Sequence, residues 1–294
     1  SRGRMPRLIE GNEASGTLRT ELASEWGMGK HVVVAGGAGD NAASAIGMGV
    51  IGNDQALLSL GTSGVFFVAN DSYRPNPEQG VHTFCHALNG RWHQMAVILS
   101  AASCLRWVTQ LTHAHNEVVL LAEIEAMDPK LRERAPLFLP YLCGERTPHN
   151  DPHAKGVWFG LGHDDSRAVL GYAVLEGVAF ALLDGYRALQ VAGTNVTTAA
   201  LVGGGSKSRF WSQLLANALN LPLTRHSGGD LGAALGAARL AMLAANPGSD
   251  VAAVCAPPPI IDLVEPQRAW HAMLSPRYER FRKVYSVLRP LFAG

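Results

Sequence analysis

This sequence has little of what would mark a metal-stapled, secreted, membrane-bound or polyanion-binding chain. Only four of its 294 residues are cysteine (Cys85, Cys104, Cys143, Cys255), far apart and with no CxxC pair. That spacing offers neither a zinc site nor a disulfide framework, and it reads as reduced thiols in a cytoplasmic protein. An excess of one charge is also lacking: 25 Lys+Arg against 24 Asp+Glu leave +1, with no long basic or acidic block. Neither nucleic acid nor an anionic membrane surface is therefore an expected partner. The segment SRGRMPRLIEGNEASG at the amino end has no apolar core of the kind a signal peptide needs. The longest apolar helical stretch is read at 231–245, which is too short to span a bilayer and carries Arg239. The chain opens on Ser1 rather than an initiator Met and its first recognisable strand comes only at residue 31, so a piece of a longer protein is expected.

What is present is a globular composition, 47 % hydrophobic and 17 % charged, with length for one large domain or two ordinary ones. Glycine is the outlier. The chain has 32 of them, about 11 % against a usual ~7 %, and they cluster.

HVVVA at 31–35 is a β-branched run closed by glycines, followed by a helix start at NAASAIGM. ALLSL at 56–60 and VFFVA at 65–69 flank GTSG at 61–64, a hairpin signal. Helical periodicity follows at about 100–111 and 117–127, and a long helix is expected at about 166–191. The order strand, glycine loop, helix then recurs: AALV at 199–202, GGG, and a helix at about 209–220; next a strand near 221–224, SGGD, and a helix from Leu231. PPP at 257–259 breaks the chain before an amphipathic helix at about 276–288. Alternating strands and helices with hairpin content predict an α/β fold with a mixed sheet flanked by helices.

Two glycine patterns are decoys. Gly47-x-Gly49-x-x-Gly52 matches the dinucleotide fingerprint in letters, but it ends a predicted helix and leads into a strand, the reverse of the required context. Close helix packing is the blander reading. The run 203–208, GGGSKS, lacks the glycine spacing of a Walker loop. His82/His86 and His149/His153 have the four-residue spacing of a helical metal pair, but no clear carboxylate joins them.

The chemistry-bearing constellation is Asp40-Asn41 at a strand-to-helix junction, with GTSG about twenty residues on. Asp40 alone reads equally as a helix N-cap. GTSG presents successive backbone N–H groups and two hydroxyls at a tight turn, a way to hold phosphate oxygens without lysine, although alone it is an ordinary hairpin turn. The GGG loop adds a third place where backbone can closely approach a ligand.

VVAGGAGDNAASAIGMGV followed by ALLSLGTSGVFFV resembles the carboxyl-terminal half of the FGGY family of carbohydrate kinases. The resemblance continues through VHTFCHAL, RWHQMAVILSAASCLRWV, FLPYLCGERTPHNDPHAKGVWFGL, VLEGVAFALLDG, LVGGGSKSRFWSQLLA and GGDLGAALGAARLA, in family order across almost the whole chain. HTFCHAL, SAASCLRW and GERTPHN point to the branch that acts on D-xylulose. The resemblance implies an actin/hexokinase-like (ribonuclease H-like) ATPase fold, with residues 1–52 ending an amino-terminal sugar-binding domain and 53–294 forming the nucleotide-binding domain. It implies ATP and D-xylulose as substrates, Mg²⁺ bridging the phosphates with Asp40 the nearby carboxylate, and a second copy of the chain as a candidate partner. Asp40 would be the catalytic base and Asn41 a sugar contact. Gly61, Thr62, Ser63 and Gly64 would bind the β- and γ-phosphates. Ser100, Ala101 and Ala102 would line the nucleotide cleft. Gly204 and Gly205 would face adenosine, and Ser208 stands where relatives often carry an Asn. Glu145, Arg146 and His149 lie in a loop read as structural or domain-closing. The family's DxGT-type turn is absent before Asp40, so the chain is expected to hold half of an active site and not to turn over alone. Another ketose or polyol kinase, or a non-catalytic ATP-switched protein of the same fold, remains the alternative.

Overall fold

The computed structural model describes residues 2–29 and 31–292; Ser1 lies outside them. A small ribbon comes first, β1 (Ala14–Thr17) antiparallel to β2 (Val33–Ala35), with α1 (Thr20–Glu25) between them. Then follow α2 (Asp40–Gly47), the hairpin β3 (Ala56–Leu60) and β4 (Gly64–Asn70), and a second hairpin β5 (His82–Cys85) and β6 (Trp92–Ile98). Three helices come next, α3 (Ala102–Leu111), α4 (Glu117–Ala126) and α5 (Pro129–Arg134), and a short pair β7 (Leu137–Leu139) and β8 (Val157–Phe159). After α6 (Arg167–Val191) the chain runs through β9 (Ala199–Val202), α7 (Arg209–Leu219), β10 (Leu223–His226), α8 (Gly232–Ala245), α9 (Val251–Val254), β11 (Ile260–Val264) and α10 (Arg268–Phe292).

The central sheet is mixed and seven-stranded, in the order β11-β10-β9-β3-β4-β6-β5. β3, β9 and β10 run parallel while the hairpin neighbours run antiparallel. Alternation along the strands divides the core between the two faces. Leu57, Val65, Phe67, Val97 and Val202 pack with Ala45 and Met48 beneath α2. Leu58, Phe66, Ile98 and Leu201 face the larger core, which holds α6 and α7.

The 56–69 hairpin forms in the expected register, Ala56 opposite Val68 and Leu60 opposite Gly64. The long apolar helix α6 is capped by Ser166, whose Oγ accepts from Val169 N at 3.4 Å. Among the described residues α6 is the one helix long and apolar enough to cross a membrane, and 83 % of its most apolar window is buried inside the fold. It displaces 231–245 as the longest apolar helical stretch, and its burial marks it as a core helix. Strand β10 begins two residues later than expected because Pro222 has no N–H to pair; its carbonyl accepts from Ala199 N instead. Helix α10 starts well before 276 and carries Pro276 inside it. Leu274, Tyr278 and Phe281 are buried around that proline, and Arg277 forms a two-bond pair with Glu176 of α6 at 2.7 and 2.6 Å, so tertiary packing carries the helix through a residue that ordinarily breaks one.

The fingerprint-like glycines resolve as packing. A Cβ on Gly47 would come within 2.8 Å of the Gly232 carbonyl carbon, and one on Gly236 within 2.6 Å of the Ala43 carbonyl carbon, so α2 and α8 cross with their backbones in contact. The Arg239 guanidinium, from α8, donates to the Ile46 and Gly47 carbonyls at 2.9 and 2.8 Å and to Ala256 O, tying down the carboxyl end of α2.

Candidate active site

Because β3 and β9 are parallel neighbours, with Ser59 opposite Val202, the loops that follow them emerge side by side at the carboxyl ends of the strands, where open α/β sheets bind ligands. These loops are GTSG and GGG. Gly61 N donates to Ser63 O at 3.1 Å, closing the first turn. Gly203 adopts φ +92° and lies against it: a Cβ there would sit 2.7 Å from Leu60 O. A Cβ on Gly205 would meet Leu60 Cγ at 2.6 Å. Only glycine permits both the backbone conformation and the approach.

The segment 100–103 joins them through its main chain. Ala101 N donates to Thr62 O at 2.9 Å and Ala102 N to Gly61 O at 2.8 Å; Ser103 Oγ donates to Thr62 O at 2.8 Å. Thr62 is exposed, and its carbonyl is held by these bonds. Ser100 Oγ lies 3.2 Å from Cys143 Sγ. Three segments distant in sequence thus form one hydrogen-bonded and close-packed floor.

Gly204, Gly205, Ser208 and Ala102 line one cavity of about 640 Å³. Its opposite wall comes from α4, through Val118, Leu121 and Ala122, which the sequence pattern did not single out. Ser208 Oγ accepts from Trp211 N at 3.2 Å, so its hydroxyl caps α7. Asp40 and Asn41 line a separate cleft of about 540 Å³. Asp40 is exposed at the first position of α2, and its Oδ1 accepts from the Asn41 N–H at 2.8 Å and the Asn41 side-chain amide at 3.3 Å. None of Gly61–Gly64 lines either space.

The loop 143–151 straps the far side of this floor. Glu145 Oε1 accepts from Leu99 N at 3.0 Å and Arg146 N at 2.7 Å, immediately before the segment that holds GTSG. Burial pushes the Glu145 carboxyl up to about 8, against the pull of these two backbone bonds. His149 stacks on Tyr285 at 3.7 Å and pairs with the Tyr141 hydroxyl at 3.1 Å; burial lowers it to about 4. Neither histidine pair lies on a helix: His82 opens β5, His86 follows it, and His149 and His153 lie in a loop. Among the described residues no group of three His, Cys, Asp or Glu side chains is placed to hold a metal ion.

Glycine loops at the carboxyl ends of parallel strands, backed by helices on both faces of a mixed sheet, define an α/β domain of the actin/hexokinase-like class. Residues 56–245 match the carboxyl-terminal domain of the FGGY family of carbohydrate kinases, and the chain belongs to that family. It is 48 % identical to the xylulose kinase of Escherichia coli (strain K12) and 46 % identical to that of Klebsiella pneumoniae, each over all of this chain and 60 % of the relative. The chain therefore spans about 60 % of the length of the curated relatives it matches. A crystal structure of a xyloylose kinase from Brucella ovis superposes with a TM-score of 0.93 at 49 % identity, covering 99 % of this chain and 59 % of that one. A xylulose kinase from Rhodospirillum rubrum superposes at 0.86 and 26 % identity, covering 99 % and 58 %.

Proposed function

We propose that this chain carries the nucleotide half and the catalytic aspartate of an ATP-dependent kinase that phosphorylates D-xylulose at its terminal hydroxyl, giving D-xylulose 5-phosphate. The observation that carries the reading is Asp40: an exposed carboxylate at the head of α2, lining its own cleft apart from the cavity of Gly204 and Gly205. A nucleotide switch has no use for a carboxylate in a second cleft, whereas a phosphoryl transferase needs one to orient the attacking hydroxyl and accept its proton. In this reading Asn41 holds Asp40 and contacts the sugar. The GTSG backbone and the Thr62 hydroxyl hold the β- and γ-phosphates. Adenosine lies between Gly204–Gly205 and the α4 wall with Ala102 beside it, while Ser100 and Ala101, which the resemblance also put in this cleft, are buried beneath it and do not line the cavity. The Ser208 Oγ accepts from Trp211 N, which fixes the hydroxyl at the start of α7 and leaves its O–H to donate toward the base.

Mg²⁺ fits this donor set as a largely phosphate- and water-held ion, because Asp40 and Glu10 are the acidic residues lining the cleft and no group of three metal-ligating side chains converges among the described residues; when bound it would neutralise charge on the transferring phosphoryl group. Residues 1–52 we read as the end of a sugar-binding domain and 53–294 as the nucleotide domain. The contact between α2 and α8 then lies between those two units. The four unpaired cysteines accord with a cytoplasmic setting.

The test is Asp40→Asn in the full-length protein. Xylulose-dependent ADP release should fall by at least about a thousandfold while ATP binding, read by calorimetry, changes less than about threefold. Turnover retained at a tenth of the parent or more overturns the base assignment, and ADP release indifferent to every ketose and polyol overturns the kinase reading.

A further inference from the structure

The Asp40 cleft has a second wall that the reading so far leaves without a role. Phe84, His86, His93 and Met95 line it together with Asp40. His93 sits on β6 opposite Ala69 of β4 and Phe84 of β5. It stacks on Phe67 at 4.6 Å, and His86 meets it edge-on at 5.9 Å. The neighbours on that face are Val65, Phe67, Ala69 and Val97, all apolar and buried, so packing alone would be served by a valine or isoleucine at 93.

Both imidazoles are nine-tenths or more buried, at 3 % and 5 % exposure, and the Nδ1 of each has no hydrogen-bond partner. Buried polar atoms in native proteins are almost always paired, so two unpaired ring nitrogens on residues that line one cleft point to a partner that arrives with a ligand. His86 Nε2 lies 3.2 Å from the Val50 carbonyl, which can only accept, so its proton is on Nε2 and Nδ1 offers a lone pair. The groups acting on His93 are His86, the Cys85 backbone carbonyl, toward which the ring N–H points, and His82; no carboxylate is among them. Burial holds both rings down to about 4, so at neutral pH they are uncharged acceptors.

We propose that His93, supported by His86, is a specificity-determining residue of the Asp40 cleft, receiving on its ring nitrogen a hydroxyl of the bound ketose other than the one Asp40 orients. The inference rests on the kinase reading and adds to it a sugar-reading surface supplied by the domain that also holds the nucleotide. Phe84, half-exposed at 52 % beside the pair, supplies the apolar edge that covers the C–H face of a polyol.

The test uses the full-length protein in a coupled ADP-release assay with D-xylulose and its single-deoxy analogues. His93→Phe keeps the stack on Phe67 and removes the acceptor. It should raise KM for xylulose about five- to a hundredfold, the range for leaving one buried donor unpaired, with KM for ATP within twofold. The parent should discriminate against one deoxy analogue, and the variant should lose that discrimination. His93→Asn, which retains an acceptor near the Nδ1 position, should restore most of both. If the nitrogen instead holds a trapped water, His93→Phe changes thermal stability and leaves the ketose KM and the discrimination unchanged, which overturns the inference while leaving the kinase reading intact. A parent protein inactive on every ketose overturns the kinase reading and this inference with it. Should His93→Phe fail to fold, His93→Leu, which also lacks the acceptor, takes its place: a raised ketose KM with lost discrimination supports the role, and parental KM and discrimination refute it.

Discussion

The crossing of α2 and α8 gives a sharp test of how packing far from the nucleotide positions the chemistry. Gly236→Ala adds one Cβ within 2.6 Å of the Ala43 carbonyl carbon and 3.0 Å of Gly47 N. These are backbone atoms, so no side-chain rotation relieves the contact. Restoring ordinary van der Waals separation requires the helices to part by about 1 Å. Overpacking of this kind costs about 1–3 kcal/mol, and the backbone-on-backbone contact puts this site at the upper end. The displacement is directed. Arg239 clamps the Ile46 and Gly47 carbonyls, so α2 pivots on its carboxyl end and its amino end moves. Asp40 lies three residues from Ala43, about 4.5 Å along the axis, and a displacement of about 1 Å in a reacting group costs on the order of a hundredfold in rate. In full-length protein we expect a melting temperature several degrees lower, kcat down by about ten- to a hundredfold, and KM for ATP within twofold, because the cavity proposed for adenosine is lined by other elements. Gly16→Ala, whose Cβ would meet nothing within 4 Å, is the matched control and should leave all three unchanged. Calorimetry and coupled ADP release read the outcome. A Gly236→Ala protein with parental melting temperature and kcat would refute the argument that this crossing sets the position of Asp40.

Two further outcomes follow from buried groups. Glu145→Gln keeps an oxygen for Leu99 N and Arg146 N, and should leave the denaturant midpoint and the KM for ATP close to the parent. Glu145→Leu strands both N–H groups and should cost about 2–5 kcal/mol and raise the KM for ATP severalfold by loosening the segment that holds Thr62; a Gln variant as damaged as the Leu variant would refute the role assigned to that oxygen. Stability should also peak near pH 6.5. His86, His93 and His149 are each lowered to about 4 by burial, so the unfolded chain binds more protons below about 6.5 and stability falls as pH drops from there toward 4, by up to about 1.4 kcal/mol per pH unit for each ring. Glu145 at about 8 and Asp184 at about 6, both raised first by burial, act with the opposite sign: their contribution is full below the ordinary carboxylate range and is lost as pH rises through those values. The three rings outweigh the two carboxyls by one group between about 4.5 and 6.5, and above that Glu145 gives a decline of similar slope until pH passes about 8. Melting temperatures across pH 4.5–8.5 check this, and a profile that rises steadily toward acid would contradict it.

What could be read from the chain follows from where each residue finds its partners. The β3–β4 hairpin was legible because apolar alternation and a GTSG turn are local signals, and α6 because its cap and apolar run are contiguous. β6 escaped notice because WHQMAVI places His93 and Gln94 in a buried strand. Gln94 is satisfied by Arg74 O at 2.5 Å, Asn70 at 3.0 Å and Thr194 at 2.6 Å, partners up to a hundred residues away. The early start of α10 was hidden by Pro276, a plausible first residue of a helix that is instead held in its interior by the Arg277–Glu176 pair. The glycine loops were legible as loops. The α4 wall of the cavity of Gly204 and Gly205 was not, because Val118, Leu121 and Ala122 differ in no way from surface and core residues of any helix.

By itself the sequence determined the conformations that depend on near neighbours: tight turns where glycine removes the Cβ, helices with their caps, and an aspartate at the junction of a strand with a helix. Only the tertiary structure decided which of those turns meet. The parallel pairing of β3 with β9 sets GTSG against GGG, the main chain of residues 101–103 binds Gly61 and Thr62, and Gly47 and Gly236 seat α2 against α8. Each of these is a contact between backbones far apart in the chain, made through N–H and C=O groups that every residue carries and that no pattern of side chains can therefore announce.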